Sequence, residues 1–264
     1  MSGDGTVGKA CDVLDQVAGF QRPVRFGELL ADSDLPKATL YRLLQTLTNQ
    51  RMLSYDTDRQ TYTPGLLLVR LAHTAWTQSS LAPVARPYLD ALSRALGETV
   101  HLAQLDGGQV LYVDKRNAEQ PVEMFSQAGK VGPAYCTGVG KAMLAYMSGD
   151  PLDQALAMQS YHRFTDGTLA DEAALRAELQ AIRERGHAFD REEHERGIIC
   201  VAAPVLTAGG RVLGAVSVTG PTTRTDLNLL ETWAPQVRDT ASAIAREAEA
   251  WRFPDTEPQR AMGT

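Results

Sequence analysis

From Leu35 to Leu53 the chain carries no Asp or Glu, although its formal net charge is -6. Within that stretch Leu40, Leu43, Leu44 and Leu47 recur at helical spacing and leave Lys37, Ala38, Thr39, Tyr41, Arg42 and Gln45 on the other side. Pro36 marks the start, because its fixed φ suits a first helical turn and the N–H it lacks would have had no partner there. The segment is expected as an amphipathic helix with a polar, basic outer face. Such a face can lie against duplex phosphates, where any carboxylate would be repelled. Taken alone, the same pattern also describes an ordinary helix with a solvated basic side.

Its neighbours favour the first reading. Upstream, Val7, Ala10, Cys11, Leu14 and Val17 form one helical stripe that ends at Gly19 and Arg22-Pro23. Phe26, Leu29 and Leu30 then form a shorter one before the polar turn Ala31-Asp32-Ser33-Asp34. Downstream, Leu53-Ser54-Tyr55 and Gln60-Thr61-Tyr62-Thr63 flank Asp56-Thr57-Asp58 as a small hairpin. Helix, turn, Pro-initiated helix and hairpin in this order make a winged helix-turn-helix, in which one helix reads base edges and the wing touches backbone. This domain is expected over residues 1–64.

Residues 65–82 follow as a linker helix. Leu66, Leu67, Leu68, Val69, Leu71, Ala72, Ala75 and Trp76 make it apolar around much of its circumference, so a second subunit is expected to cover part of it. A larger domain is expected over residues 83–252. Pro83 opens a helix that buries Val84, Tyr88, Leu89, Leu92 and Leu96 and stops at Gly97. Strand patterns at 99–105 and 110–114 flank Asp106-Gly107-Gly108, and those at 198–205 and 212–219 flank Gly209-Gly210. Helical patterns fall near 140–147, at 172–185 and from about 227 to 251. The mixture predicts an α+β domain on an antiparallel sheet. The polar, Pro-containing tail, 253–264, is expected to be disordered.

A content of 44% hydrophobic and 22% charged residues is that of a globular chain. The acidic balance argues against coating nucleic acid or an anionic membrane by bulk charge, so contact with DNA must be local. Cys11, Cys136 and Cys200 form no C-x-x-C pair and read as small buried thiols in a reducing compartment. The N-terminus has no apolar signal core, and no apolar run approaches the ~20 residues of a bilayer span. A cytoplasmic protein is expected.

The chain resembles the IclR family of transcription regulators. The likeness is carried by Leu35-Pro36-Lys37-Ala38-Thr39-Leu40-Tyr41-Arg42-Leu43-Leu44, by Cys136-Thr137-Gly138-Val139-Gly140-Lys141-Ala142-Met143-Leu144-Ala145, by the run from Asp190 to Cys200, and by Ala215 to Pro221. It implies a winged helix-turn-helix joined by a linker helix to a GAF-like effector domain, in dimers or tetramers on palindromic or repeated operators. Ala38, Thr39, Tyr41 and Arg42 are then assigned to the operator face, with Lys37 and Arg59 on phosphates.

Gly138-Val139-Gly140-Lys141 invites comparison with a nucleotide-binding loop. The pattern fails, since Tyr135 stands where it needs Gly and Ala142 where it needs Ser or Thr. No cofactor is expected. Glycines ahead of a helix either present the N–H groups of Gly138 and Val139 to an anion or simply make a tight turn. Ser217 and Thr219, two apart in a strand, put both hydroxyls on one face, where protein groups or a polar ligand must satisfy them. By resemblance, Gly138, Val139, Asp190, Cys200, Ser217 and Thr219 match positions that hold small carboxylate effectors, with Met124 and Tyr135 shaping the apolar side. The identity of the effector does not transfer, nor does the choice between repressor and activator, though repression is favoured.

Three other readings compete. An enzyme would use Cys136 or Cys200 as nucleophile with His101 or His194 as base; a free Cys is more simply a small hydrophobe. A metal centre would use His187, Asp190 and His194, in a stretch more simply read as a solvated or capping segment. A sensor acting only through protein contacts conflicts with the basic helix and wing.

Overall fold

The computed structural model describes residues 5–250. The chain divides between Gln78 and Ser79 into two compact units. The first contains α1 (Gly5–Gly19), β1 (Val24–Arg25), α2 (Phe26–Ala31), α3 (Lys37–Asn49), β2 (Leu53–Asp56), β3 (Thr61–Pro64) and α4 (Leu66–Ser79). Its small antiparallel sheet runs β1-β3-β2, with both Val24 and Tyr55 opposite Tyr62.

Leu40, Leu43, Leu44 and Leu47 of α3 are buried against Val13, Val17, Leu29, Leu53 and Tyr62. Pro36 is the N-cap, and its carbonyl accepts from Thr39 and Leu40 at 2.8 and 3.0 Å. The stripe of α1 differs from expectation. Val7 and Cys11 are exposed, and the inner face runs through Ala10, Val13, Leu14 and Val17. Helical geometry allows both sets, and α3 and β3 set which one is covered. Behind α3 the chain passes so close to Arg51 that a Cβ on Gly65 would come within 3.0 Å of its carbonyl oxygen, so the start of α4 requires glycine. On α4, Leu66, Val69 and Leu71 are 86%, 65% and 48% exposed.

The second unit contains α5 (Ala82–Leu96), β4 (Thr99–Asp106), β5 (Gln109–Arg116), β6 (Val131–Gly132), α6 (Gly138–Leu144), α7 (Gly149–Ala157), α8 (Glu172–Arg185), β7 (Ala188–Arg191), β8 (Ile198–Leu206), β9 (Val212–Pro221) and α9 (Leu227–Ala250). The six strands form one antiparallel sheet ordered β6-β5-β4-β9-β8-β7. Strand alternation gives it two faces. Ala103, Ala202 and Ala215 pack with Val139, Ala142 and Met143 of α6 and with Leu175, Leu179 and Ile182 of α8. The intervening Val100, Leu102, Val201, Val216 and Val218 are fully buried, and α5 and α9 also contact the sheet. The mixed helix-and-antiparallel-sheet architecture expected from the sequence is the observed one. β1, β6, β7 and α7 were not foreseen; three are strands of two to four residues, too short for a periodic signal. Trp251 and the tail from 253 lie outside the described residues.

Candidate functional site

Two surfaces carry polar chemistry without an evident structural use. The first is the outer side of α3. Lys37, Ala38, Tyr41 and Arg42 are exposed and Thr39 is half-buried. Tyr41 is held edge-on to Phe26 with ring centroids 6.0 Å apart, and its hydroxyl accepts from Gln45 Nε2 at 3.1 Å. Arg59 is exposed in the turn between β2 and β3, which Asp56 closes by accepting from the amides of Asp58 and Arg59, both at 3.0 Å. Among the described residues no carboxylate forms an ion pair with Lys37, Arg42, Arg51 or Arg59. Four free cations on a helix, its end and a wing leave their charge available to phosphates.

The second is a cavity of about 40 Å³ on the α6 side of the large sheet. Register brings its wall together: His101 stands opposite Ser217, Thr219 is paired with both Thr99 and Cys200, and Cys200 is opposite Asp190. Thr137, Gly138 and Val139 enter from the start of α6, Tyr112 from β5, and Met124, Phe125 and Ser126 from the segment that follows β5. The first amides of α6 have no carbonyl one turn back to bond to. A Cβ on Gly138 would come closer than 3.0 Å to Cys200 Sγ, so only glycine lets α6 begin this near β8.

The charges around the cavity are set by burial. His101 Nε2 lies 2.8 Å from Ser126 Oγ, and Nδ1 lies 3.3 Å from Thr219 Oγ1 and 3.5 Å from Ser217 Oγ. Burial, and then the Lys115 ammonium, pull its pKa down to about 3, so the ring is neutral at physiological pH. Asp190 is pushed up to about 7, first by burial and then by Glu193, against Lys141 and the amides of Glu193 and His194. Its Oδ1 accepts from the Glu193 amide at 2.8 Å. Behind it Lys141 and Glu193 form a fully buried ion pair that leaves Glu193 Oε2 without a partner among the described residues.

Residues 6–57 match the model of the IclR helix-turn-helix domain, and residues 73–246 that of the bacterial transcriptional regulator IclR C-terminal domain. The chain belongs to the IclR family. Among its relatives are two HTH-type transcriptional regulators of Escherichia coli K12. XynR is 31% identical over 91% of this chain and 96% of its own length, and KdgR is 30% identical over 90% and 91%. The crystal structure of the Thermotoga maritima IclR matches with a TM-score of 0.70 at 28% identity, covering 92% of this chain and 98% of that one. This IclR-family chain is therefore a DNA-binding transcription regulator with an effector-binding C-terminal domain. No helix among the described residues is long and apolar enough to cross a membrane.

Of the residues that the resemblance to the IclR family singled out, Gly138, Val139, Asp190, Cys200, Ser217, Thr219 and Met124 all line the cavity. Tyr135 does not. Its hydroxyl donates to the His162 carbonyl at 2.6 Å, and its ring packs against Tyr161 and Phe164. His101, Tyr112, Ser126 and Thr137 were missed as lining residues, as were Phe125, His194, Glu195 and Ile198. The need of Ser217 and Thr219 for partners was the available signal, but naming His101 requires the β4–β9 register.

The residues of the competing readings fall elsewhere or are chemically quiet. Burial raises both the Cys136 and the Cys200 thiols, which keeps them protonated and poorly nucleophilic. Cys11, expected as a buried thiol, is exposed, because it lies on the uncovered side of α1. His187 lies outside the cavity, facing Glu231 at 3.4 Å and Phe189, whereas His194 lines it beside Cys200 and His101 and packs against Phe125 and Phe164. Among the described residues no group of three or more His, Cys, Asp or Glu side chains is gathered as a metal site.

Proposed function

We propose that this regulator is a cytoplasmic repressor, acting by binding and not by catalysis, that leaves its operator when a small carboxylate or sugar-acid-like metabolite occupies the cavity beside α6. The observation that carries the reading is the chemistry of that cavity. Two strand hydroxyls and the first amides of α6 offer donors to anionic oxygens, and Asp190 offers an acceptor to a ligand hydroxyl. In the reading head, Thr39, Tyr41 and Arg42, with Ala38 allowing close approach, face base edges, while Lys37 and Arg59 neutralise phosphates. Occupancy of a promoter is enough to block it, whereas activation needs a further contact with the polymerase.

The exposed Leu66, Val69 and Leu71 of α4 support self-association, since a second copy would cover that apolar surface. A dimer, or a dimer of dimers, would face a palindromic or repeated operator. Ligand then acts by differential binding: it favours one arrangement of the paired effector domains, and the linker helix passes that preference to the spacing of the reading heads.

The test is a thermal-shift screen of small organic and sugar acids on the full chain, followed by anisotropy on promoter fragments with and without each hit. A stabilising acid that weakens operator affinity at least tenfold, about 1.4 kcal/mol of coupling, supports the proposal. A chain that prefers no promoter fragment over random duplex, or whose operator affinity no stabilising acid changes, refutes it.

A further inference from the structure

A second cavity, of about 740 Å³, opens in the reading head between α3, the start of α2 and the side of the wing that faces α3. Lys37, Ala38 and Tyr41 of the operator face form one wall, so the cleft continues the surface that α3 presents. Tyr55 and Tyr62 form the other. They are directly paired across β2 and β3, which puts both rings on one side of the hairpin, and their centroids lie 4.7 Å apart. Arg25, at the end of β1, and Gln60, in the wing turn, complete the cleft, and among the described residues no carboxylate lines it.

Its polar groups are donors without acceptors. Arg25 feels the Glu28 carboxylate but forms no ion pair with it; that carboxylate accepts from Arg22 Nη2 at 2.6 Å and from the Arg25 amide at 2.9 Å. The Tyr55 and Tyr62 hydroxyls donate to no described residue, and Tyr41, which accepts from Gln45, keeps its own proton. Burial, and then Tyr55 and Tyr41, raise the Tyr62 phenol, so it stays a donor at physiological pH. Cations and phenol donors without a carboxylate are the chemistry of a phosphate site. The room is that of a drug-sized ligand, far more than one phosphate needs, so the phosphate that fits brings its neighbouring groups with it. The tip of the wing offers less, since Asp56 and Asp58 stand there beside Arg59 and leave it net negative.

We infer that one sugar–phosphate strand of the operator lies in this cleft, with Arg25 and Tyr55 binding its phosphates alongside Lys37, so that the wing holds the duplex by its inner side more than by its tip. The inference rests on the reading of α3 as the operator face, and the two can fail separately.

The probe is a duplex enriched from a random library by the wild-type chain, and the readout is anisotropy of the full chain across a salt series. Arg25→Gln should weaken binding to enriched and random duplex by a similar factor and reduce the salt slope of log K by about one. Tyr55→Phe keeps the ring and loses one hydrogen bond to a charged acceptor, which should cost roughly tenfold and leave base preference intact. Both side chains are exposed, so both variants should melt with wild type. A scan of the enriched duplex with single neutral methylphosphonate linkages then locates the contact: one linkage that matters for wild type should cease to matter in Arg25→Gln. An unchanged salt slope in Arg25→Gln, a scan in which no linkage loses its effect there, or a Tyr55→Phe protein that binds like wild type overturns the inference. So does saturable binding of deoxyadenosine monophosphate that Arg25→Gln abolishes while the salt slope stays that of wild type, because the cleft would then serve a free phosphate ester. A wild type that prefers no duplex refutes the base-reading assignment of α3 by itself; the salt slopes on random duplex then judge the cleft, since phosphate contacts need no base sequence.

Discussion

Replacing Gly138 by Ala tests how α6 meets the sheet. The added Cβ would come closer than 3.0 Å to Cys200 Sγ, a separation that packed atoms do not tolerate, whereas the next neighbours, Ala202 Cβ at 3.4 Å and the Asp190 amide nitrogen at 3.5 Å, are in ordinary contact. The penalty therefore comes from one atom. Forcing a methyl into a packed core costs about 1–3 kcal/mol, and for a unit of this size each kcal/mol lowers Tm by about 2–4 °C. A loss of about 2–12 °C is expected for Gly138→Ala in the calorimetric transition of the effector domain. Cys200→Ala removes the obstructing sulfur for roughly 1 kcal/mol or less of lost packing. In that background Gly138→Ala should cost almost nothing, so the double-mutant cycle should return a coupling of about 1–3 kcal/mol. A Gly138→Ala protein that melts like wild type, or one whose loss is the same with and without the Cys200 sulfur, would refute the packing argument.

Arg42→Ala and Lys37→Ala should each weaken operator binding and reduce the salt slope of log K by about one if the cation contacts a phosphate, or relax base preference if it reads a base edge; anisotropy across a salt series that matches wild type for both would remove α3 from the interface. Lys141→Met should destabilise the effector domain by about 3–5 kcal/mol in urea titrations, because it strands the buried Glu193 carboxylate, which already has one unpartnered oxygen. Asp190 is held above its unfolded value of 3.8, so the stability it contributes is full below that pH and is lost as pH rises through about 7. His101, lowered from 6.5 to about 3, works in the opposite sense: its contribution is present above 6.5 and lost as pH falls toward 3. The informative quantity is the stability of wild type minus that of Asp190→Asn, which should fall from pH 4 to pH 8; a flat difference would show that the buried carboxyl does not titrate there.

The parts of this protein legible in its sequence are those set by local periodicity. The leucine stripe of α3, the carboxylate gap beside it, the wing, and the β8–β9 hairpin each depend on residues within a few turns or one hairpin of one another, where spacing alone decides which face is apolar. The face of α1 was less so, because Val7, Cys11 and Val13 satisfy similar helical patterns and only the packing of α3 and β3 covers Val13 and leaves the others in solvent.

The alternation that puts Ser217 and Thr219 on one side could be read from the strand itself, but their partner could not. His101 reaches them through a register between strands more than a hundred residues apart, and a one-residue slip would have turned it to the opposite face. Tyr135 and Thr137 show the same limit: two residues apart in one short stretch, one lines the cavity and the other donates to a carbonyl outside it. Composition and periodicity thus determined the longer elements and, α1 apart, their inner faces, since those follow from backbone geometry within a segment. Which side chains meet around the cavity, and how each is charged there, was decided only by long-range register and burial, which no local stretch of residues encodes.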